Sequence, residues 1–339
     1  MTAAFTAAAG IAHFADASPL LTFALATVAL AGLAWIVSFS TERVGQHYGP
    51  AVTGVLQSTL GNLPEFFIVI FALSAGELVV ARASILGSIF ANALLVLGIV
   101  ILAGCHASAD GVMRFSTGLP KDNAVQMLLA SFLIVLIGLS VATDDQASHH
   151  VTAISIVGAL ALLVTYGVWL FDYLRSDQPR EVGQVGPRVP LTLAFALLAA
   201  GGVGAAFVSD WFVSALSPAI EKIGLSQAFA GVVVVGIAGN AVENTTGIVL
   251  ALKGEADLAI SVVMNSVAQV TAFLFPALVL VSLLFETHLT FNLGPVYIGG
   301  LLLTGLALWQ ITSDGEGTRF EGVALVSLYV IVAVLAFYE

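Results

Sequence analysis

The chain has 339 residues, of which 59% are hydrophobic and only 9% charged, and its mean hydropathy is +1.04. A soluble globular protein carries about 25% charged residues, so the composition excludes that class and points to a polytopic membrane protein. A formal net charge of −11 excludes nucleic acid as a partner, and a single cysteine, Cys105, excludes an intrachain disulfide.

Residues 1–18 carry no Lys or Arg, so they lack the positive region of a secretory leader and are expected to lie outside the membrane as a short N-terminal segment. Apolar runs long enough to cross about 30 Å of hydrocarbon then fall near 19–40, 49–75, 78–104, 121–142 and 150–174. The most polar stretch, RSDQPREVGQVGPR at 175–188, reads as a linker. Five more runs follow near 189–209, 225–252, 256–285, 293–312 and 320–337. Spanning runs of this length must be helices, because barrel strands are shorter and alternate. The expected fold is an all-α polytopic membrane protein of ten transmembrane helices in two five-helix repeats, 19–174 and 189–339.

With ten spans, the loops after odd-numbered helices share one side. Eight Lys and Arg fall there, and only Arg82 and Lys222 on the other. By the positive-inside rule the linker is cytoplasmic and both termini are outside.

An internal echo carries the functional signal. GNLPE at 61–65 returns as GNAVE at 239–243, a shift of 178 residues, and Gly76-Glu77 and Ser88 return as Gly254-Glu255 and Ser266. Each half has an odd number of spans, so the second enters the membrane from the opposite side and the repeats are inverted, as in many secondary transporters. Glu65 and Glu243 are the acids placed deep within spans. An acid there costs about 2.5–3.5 kcal/mol on insertion scales and usually marks an ion or proton pathway.

Two carboxylates carry charge −2, which one divalent cation or two protons neutralise. That equivalence is the basis of an exchange. Ca2+ takes roughly six to eight oxygens, and Asn62, Asn240, Ser88, Asn92, Ser266 and Gln269 offer side-chain oxygens near the two acids. Pro64 has no N–H, so the Leu60 carbonyl loses its helical donor and becomes a further ligand candidate. The repeat shift places the Ala238 carbonyl opposite it.

The stretches GNLPEFFIVIFALSAGELVVARASILGSIFANALLVLG (61–98) and GNAVENTTGIVLALKGEADLAISVVMNSVAQVTAFLFP (239–276) resemble the α-repeats of the Ca2+/cation antiporter superfamily, most closely its Ca2+/H+ exchanger branch. The resemblance implies a ten-helix antiporter core with Glu65 and Glu243 as the ion-binding, proton-exchanging acids and the six polar residues above as lining. It also implies transported Ca2+ and H+, with Na+ as an alternative coupling ion. The expected location is a bacterial inner membrane. The sequence departs from the family pattern at Asn244, where a His is usual, at Asn265 and Val267, and at Leu63-Pro64.

The six histidines fall in loops or at helix ends, and His149-His150 alone falls short of the three or four ligands zinc needs. Gly201–Gly204 lies in a span and suits close helix packing. Neither HExxH nor a nucleophile with a buried base is present, so no catalytic residue and no cofactor is expected. The expected partners are membrane lipid and transported cations. A cation channel is the rival class.

Overall fold

The computed structural model describes residues 1–48, 60–175 and 189–339. The expected linker at 175–188 lies almost wholly outside them. Eight of the described helical stretches are long and apolar enough to cross a membrane. A helix satisfies its own backbone, which is why apolar runs of this length fold as helices where water is excluded. The described chain forms two compact units.

Unit 1 holds residues 1–88, 180–242 and 333–339. The N-terminal segment is itself helical, α1 (Thr2–Phe14), and lies against α2 (Pro19–Tyr48) and α8 (Leu191–Ile223). Glycines set the α2–α8 spacing: a Cβ at Gly204 would stand 2.9 Å from a Leu33 methyl, and one at Gly201 3.1 Å from Ile36 and Val37. The close-packing role expected for this glycine cluster is therefore what it has. The α8 helix runs well past the apolar stretch at 189–209, because its extension to Ile223 buries Phe212, Val213, Leu216, Ala219 and Ile220. Next in sequence after α2 come α3 (Leu63–Ser74) and α4 (Leu78–Phe90). At the loop between them Glu77 accepts hydrogen bonds from Ser217 at 3.1 Å and Gln227 at 2.8 Å.

Unit 2 holds residues 89–179 and 243–332. Its helices include α5 (Leu97–Ala107), α6 (Gly118–Ala142) and α7 (Val151–Arg175) from the first half of the chain. After α9 (Gln227–Phe229), α10 (Gly236–Gly239) and α11 (Ala241–Leu252), the second half adds α12 (Ala256–Ala268), α13 (Phe275–Val281), α14 (Pro295–Thr312) and α15 (Arg319–Tyr338). Within the unit α6 packs on α14 and α12, α7 packs on α13, and Gly98 and Gly322 bring α5 and α15 to backbone contact.

One feature departs from the all-α expectation. A two-stranded antiparallel ribbon pairs β1 (Val112–Arg114) with β2 (Glu316–Thr318), with Met113 opposite Gly317. Gly111 and Gly315, both at positive φ, turn the chain into it. Arg114 fastens the ribbon, donating to Asp110 at 2.7 Å and to Glu316 at 3.1 Å. The Arg114 hydrogen bond holds the Asp110 carboxyl at about 2, below its usual 3.8. Nearby, the Ser116 N–H donates to Asp257 at 2.6 Å. The loops before α6, before α12 and before α15 thus meet at one end of unit 2. Elsewhere in the unit, Phe291 N–H donates to Ser155 near the start of α7.

The 178-residue echo recurs in the backbone. Helix α3 at 63–74 maps onto α11 at 241–252, and α4 at 78–90 onto α12 at 256–268. A π-helical turn follows each, Ala91–Val96 and Gln269–Leu274, again at the same shift. The turn glycines Gly76 and Gly254 adopt φ of +77° and +80°. Chance matching of a pentapeptide does not produce this correspondence.

Candidate functional site

In unit 1 the first copy of the motif is a helix break. The chain is helical at Leu60, turns at Gly61-Asn62 and restarts at Leu63 with Pro64 in the first turn. Proline is tolerated there because a first-turn N–H has no intrahelical acceptor. The same residue deprives the Leu60 carbonyl of its donor, as the sequence implies. The second copy breaks at the same place without a proline: α10 ends at Gly239 and α11 begins at Ala241. The backbone of Asn62 (φ −96°, ψ 23°) is reproduced by Asn240 (φ −97°, ψ 20°). Asn240 supports its own break by donating its side-chain amide to the Gly236 carbonyl at 2.9 Å. The Ala238 carbonyl accepts the Asn240 backbone N–H.

Glu65 sits in the first turn of α3, where the positive end of the helix dipole favours a carboxylate. It is 3% exposed. Its carboxyl lies against Gly239: a Cβ added there would stand 2.5 Å from Glu65 Oε1 and 3.0 Å from its Cδ. The glycine of one copy therefore makes room for the acid of the other. The sequence singled out Gly239 only as a breaker, and its presence in both copies was the available signal. Asn62 and Asn240 are buried in this unit as well. So is Ser88, whose hydroxyl meets no hydrogen-bonding partner among the described residues. The segment behind them packs backbone on backbone, since a Cβ at Gly87 would stand 2.5 Å from the Gly231 carbonyl oxygen.

In unit 2 the two copies meet again. Asn92, buried in the first π turn, donates its amide to Ser266 Oγ of α12 at 2.9 Å. Gln269 opens the second π turn and is half-buried. A π turn inside an α-helix frequently accompanies a functional site, and no residue pattern announced these two. Asn265 donates to Ser261 at 3.4 Å. Glu243 lies on α11, and its side chain is outside what the structure describes.

The expected residues thus form two groups. Leu60, Asn62, Glu65, Ser88, Ala238 and Asn240 belong to unit 1, and Asn92, Ser266 and Gln269 to unit 2 with Glu243 on its first residue in the second half. The donors are hard: carboxylate, amide, hydroxyl and carbonyl oxygens suit Ca2+ rather than a thiophilic metal. Among the described residues no three His, Cys, Asp or Glu side chains gather as a metal-binding cluster.

Comparison with known proteins bears on the family and the fold. A family described as sodium/calcium exchanger protein matches residues 18–172 and 193–338. A Ca(2+)/H(+) antiporter from Synechocystis sp. is 30% identical over 97% of the chain and 94% of its own length. One from Aphanothece halophytica is 28% identical over 96% and 92%. The solved structure of native YfkE matches with a TM-score of 0.85 at 26% identity, covering 100% of this chain and 98% of that one. With the duplicated helix breaks and the buried acid between them, these matches show that the chain belongs to the sodium/calcium exchanger protein family.

Proposed function

We propose that the protein is a secondary antiporter that exchanges Ca2+ for H+ across a membrane by alternating access. The observation that carries this reading is the pair of helix breaks with matched dihedrals, one bearing buried Glu65 against the other's Gly239. The likeness to two proteins named Ca(2+)/H(+) antiporters along most of their length supports it.

Glu65 and Glu243 form the ion site in this reading. Together they carry charge −2 when ionised, and one Ca2+ or two protons neutralise it. The empty, doubly charged state is the costly one in a membrane, so each occupant drives the other across. Asn62, Asn240, Ser88, Asn92, Ser266 and Gln269, with the carbonyls of Leu60 and Ala238, complete the oxygen shell.

The architecture proposed is ten spans in two inverted repeats, 19–174 and 189–339, joined by a cytoplasmic linker at 175–188, with residues 1–18 and both termini extracytoplasmic in a bacterial inner membrane. The meeting of the loops before α6, α12 and α15 supports it, because all three follow odd-numbered spans in this count. The family description favours one second reading, Na+ as the coupling ion.

The test is Ca2+-driven proton movement in proteoliposomes, with Ca2+ affinity titrated from pH 5 to 9 in Na+-free buffer. Where both carboxylates take up protons, the apparent Kd should rise up to about a hundredfold per pH unit, because each proton competes separately. A pH-independent affinity together with Na+-dependent flux would replace the proton by sodium.

A further inference from the structure

Helix α6 buries two amides that the ion site does not use. Asn123 and Gln126 are 1% and 3% exposed. None of their four side-chain polar atoms has a hydrogen-bonding partner among the described residues. Buried polar side chains are nearly always paired with protein or ordered water, so two such amides a turn apart call for an explanation.

The neighbours of α6 fix the direction in which these amides face. Helix α14 takes one side, where Gly305 approaches Met127 and Leu128 and Ile298 approaches Gly138. Helix α7 takes the next, where Trp169 donates to Asp122 at 3.2 Å and Gly158 meets Leu133. Val125, Leu129, Phe132 and Leu136 form an exposed apolar side. The remaining side carries Asn123, Gln126, Ala130, Ile134 and Ile137, and it is left for α12 and the π turn Gln269–Leu274, which also pack on α6. The bond from Ser116 N–H to Asp257 sets the starts of α6 and α12 side by side. At about 1.5 Å per residue, the amides then lie roughly level with Ser261 and the turn above it. In the π turn, Thr271 is also buried, and its hydroxyl too lacks a partner among the described residues.

We propose that the α6–α12 seam is a hydrated proton lane, running from Asp257 past Asn123, Ser261 and Gln126 to Thr271, and that H+ uses it to reach and leave the shared carboxylates by an entrance that Ca2+ does not take. This rests on the Ca2+/H+ exchange proposed above. Amides and hydroxyls both donate and accept, so they can hold a file of waters in either orientation. A proton crosses such a file as one water O–H bond forms and the next breaks, and the amides take no net proton. The seam suits stripped Ca2+ poorly. Two amide carbonyls and two hydroxyls supply four oxygens and no charge, against the six to eight that Ca2+ takes. The charged groups at this end include Lys121, Asp122, Glu255 and Asp257, with Asp122 engaged by Trp169 and Arg114 of the ribbon engaged by Asp110 and Glu316.

The test separates proton from cation movement. In proteoliposomes, the Asn123→Leu/Gln126→Leu double variant should slow pH-gradient-driven Ca2+ uptake at least tenfold. Exchange of labelled for unlabelled Ca2+ at equal pH, which moves no proton, should be unchanged, and this also reports correct folding. The Asn123→Ser/Gln126→Ser variant, which keeps water-binding groups, should recover the coupled flux. Equal loss of both fluxes, or loss of neither, overturns the lane. A second readout holds even if the wild type couples Ca2+ to another ion. In a Cys105→Ala background, Asn123→Cys should react with a small hydrophilic thiol reagent while Ile134→Cys, on the same side of α6 but deeper, reacts more slowly. An unreactive Asn123→Cys means a dry seam and overturns the proposal.

Discussion

The two copies of the repeat share a skeleton and differ in what they attach to it. Both have a break at asparagine, a following helix, a positive-φ glycine turn and a second helix ending in a π turn. The second helix differs in which of its sides is polar. In the first copy Ser84, Ser88 and Asn92 are spaced four apart, and the adjacent row, Ala83 and Gly87, is small and packs on the backbone at Gly231–Gly236. In the second copy that adjacent row, at the shifted positions, reads Ser261, Asn265 and Gln269. One copy therefore uses the row for close backbone packing and the other makes it polar. The two copies keep a common skeleton, and one helical row distinguishes them.

The most severe break of the symmetry is to remove one acid. Glu65→Gln and Glu243→Gln should each reduce Ca2+-driven proton flux at least a hundredfold in proteoliposomes while the purified protein keeps its helical circular dichroism. A single remaining carboxylate cannot neutralise a divalent ion. Near-normal flux in either variant would refute the two-carboxylate site. Next in size is Gly239→Ala. The new methyl would collide with the tip of a flexible side chain, so the fold survives and the Glu65 carboxyl is displaced. A displacement of about 1 Å at a reacting group commonly costs up to about a hundredfold, and Ca2+ affinity measured by calorimetry should fall at least tenfold.

The sequence made the repeat legible because a membrane leaves few reasons for an acid, an asparagine and a glycine to recur at one spacing. Glu65 and Asn62 stand out for that reason, and so does the break at Pro64. The close approach of Glu65 to Gly239 was hidden, since it joins residues 174 positions apart and depends on the absence of a side chain. The π turns were hidden too, because ANALLV and QVTAFL carry no helix-breaking residue. The extension of α8 to Ile223 was missed because its last turns are amphipathic rather than uniformly apolar. Asn123 and Gln126 sat in plain view near the start of an apolar run, where a polar residue is normally taken for a solvated end, and only their burial marks them.

A smaller effect tests the two equivalent serines. Ser266 accepts the Asn92 amide, whereas the Ser88 hydroxyl has no partner among the described residues. Removing one partner of a buried hydrogen bond costs about 1–3 kcal/mol. Ser266→Ala should therefore lower both thermal stability and Ca2+ affinity. Ser88→Ala should leave stability within about 0.5 kcal/mol and lower affinity alone, if the hydroxyl's role is to bind the ion. Thermal melts with and without Ca2+ separate the two serines, and equal behaviour would refute the distinction between them.

The smallest effect concerns the loops that follow the two repeats, one held by charge and the other by neutral bonds. After α5, Asp110 binds Arg114 and accepts the Val112 N–H at 3.2 Å. After α13, Ser282 accepts the Leu289 N–H at 2.9 Å and donates to the Val279 carbonyl at 2.7 Å. Bonding to Arg114 lowers the Asp110 carboxyl from 3.8 to about 2. A depressed carboxylate contributes its full stabilisation above its unfolded value and loses it as pH falls through the folded one. The charged clasp should thus be intact at neutral pH and weaken between pH 4 and 2, while the neutral hook is indifferent over the same range. Its contribution is small because both partners are exposed, where ion pairs are worth little. A carbon-13 titration of the Asp110 carboxyl should give a midpoint near 2, moving up toward 3.8 in Arg114→Gln. A midpoint unaffected by that substitution would show that the arginine is not what holds the carboxylate down. Exchange activity at neutral pH should not change in the variant, since the clasp lies in a loop and touches none of the proposed ion-binding groups.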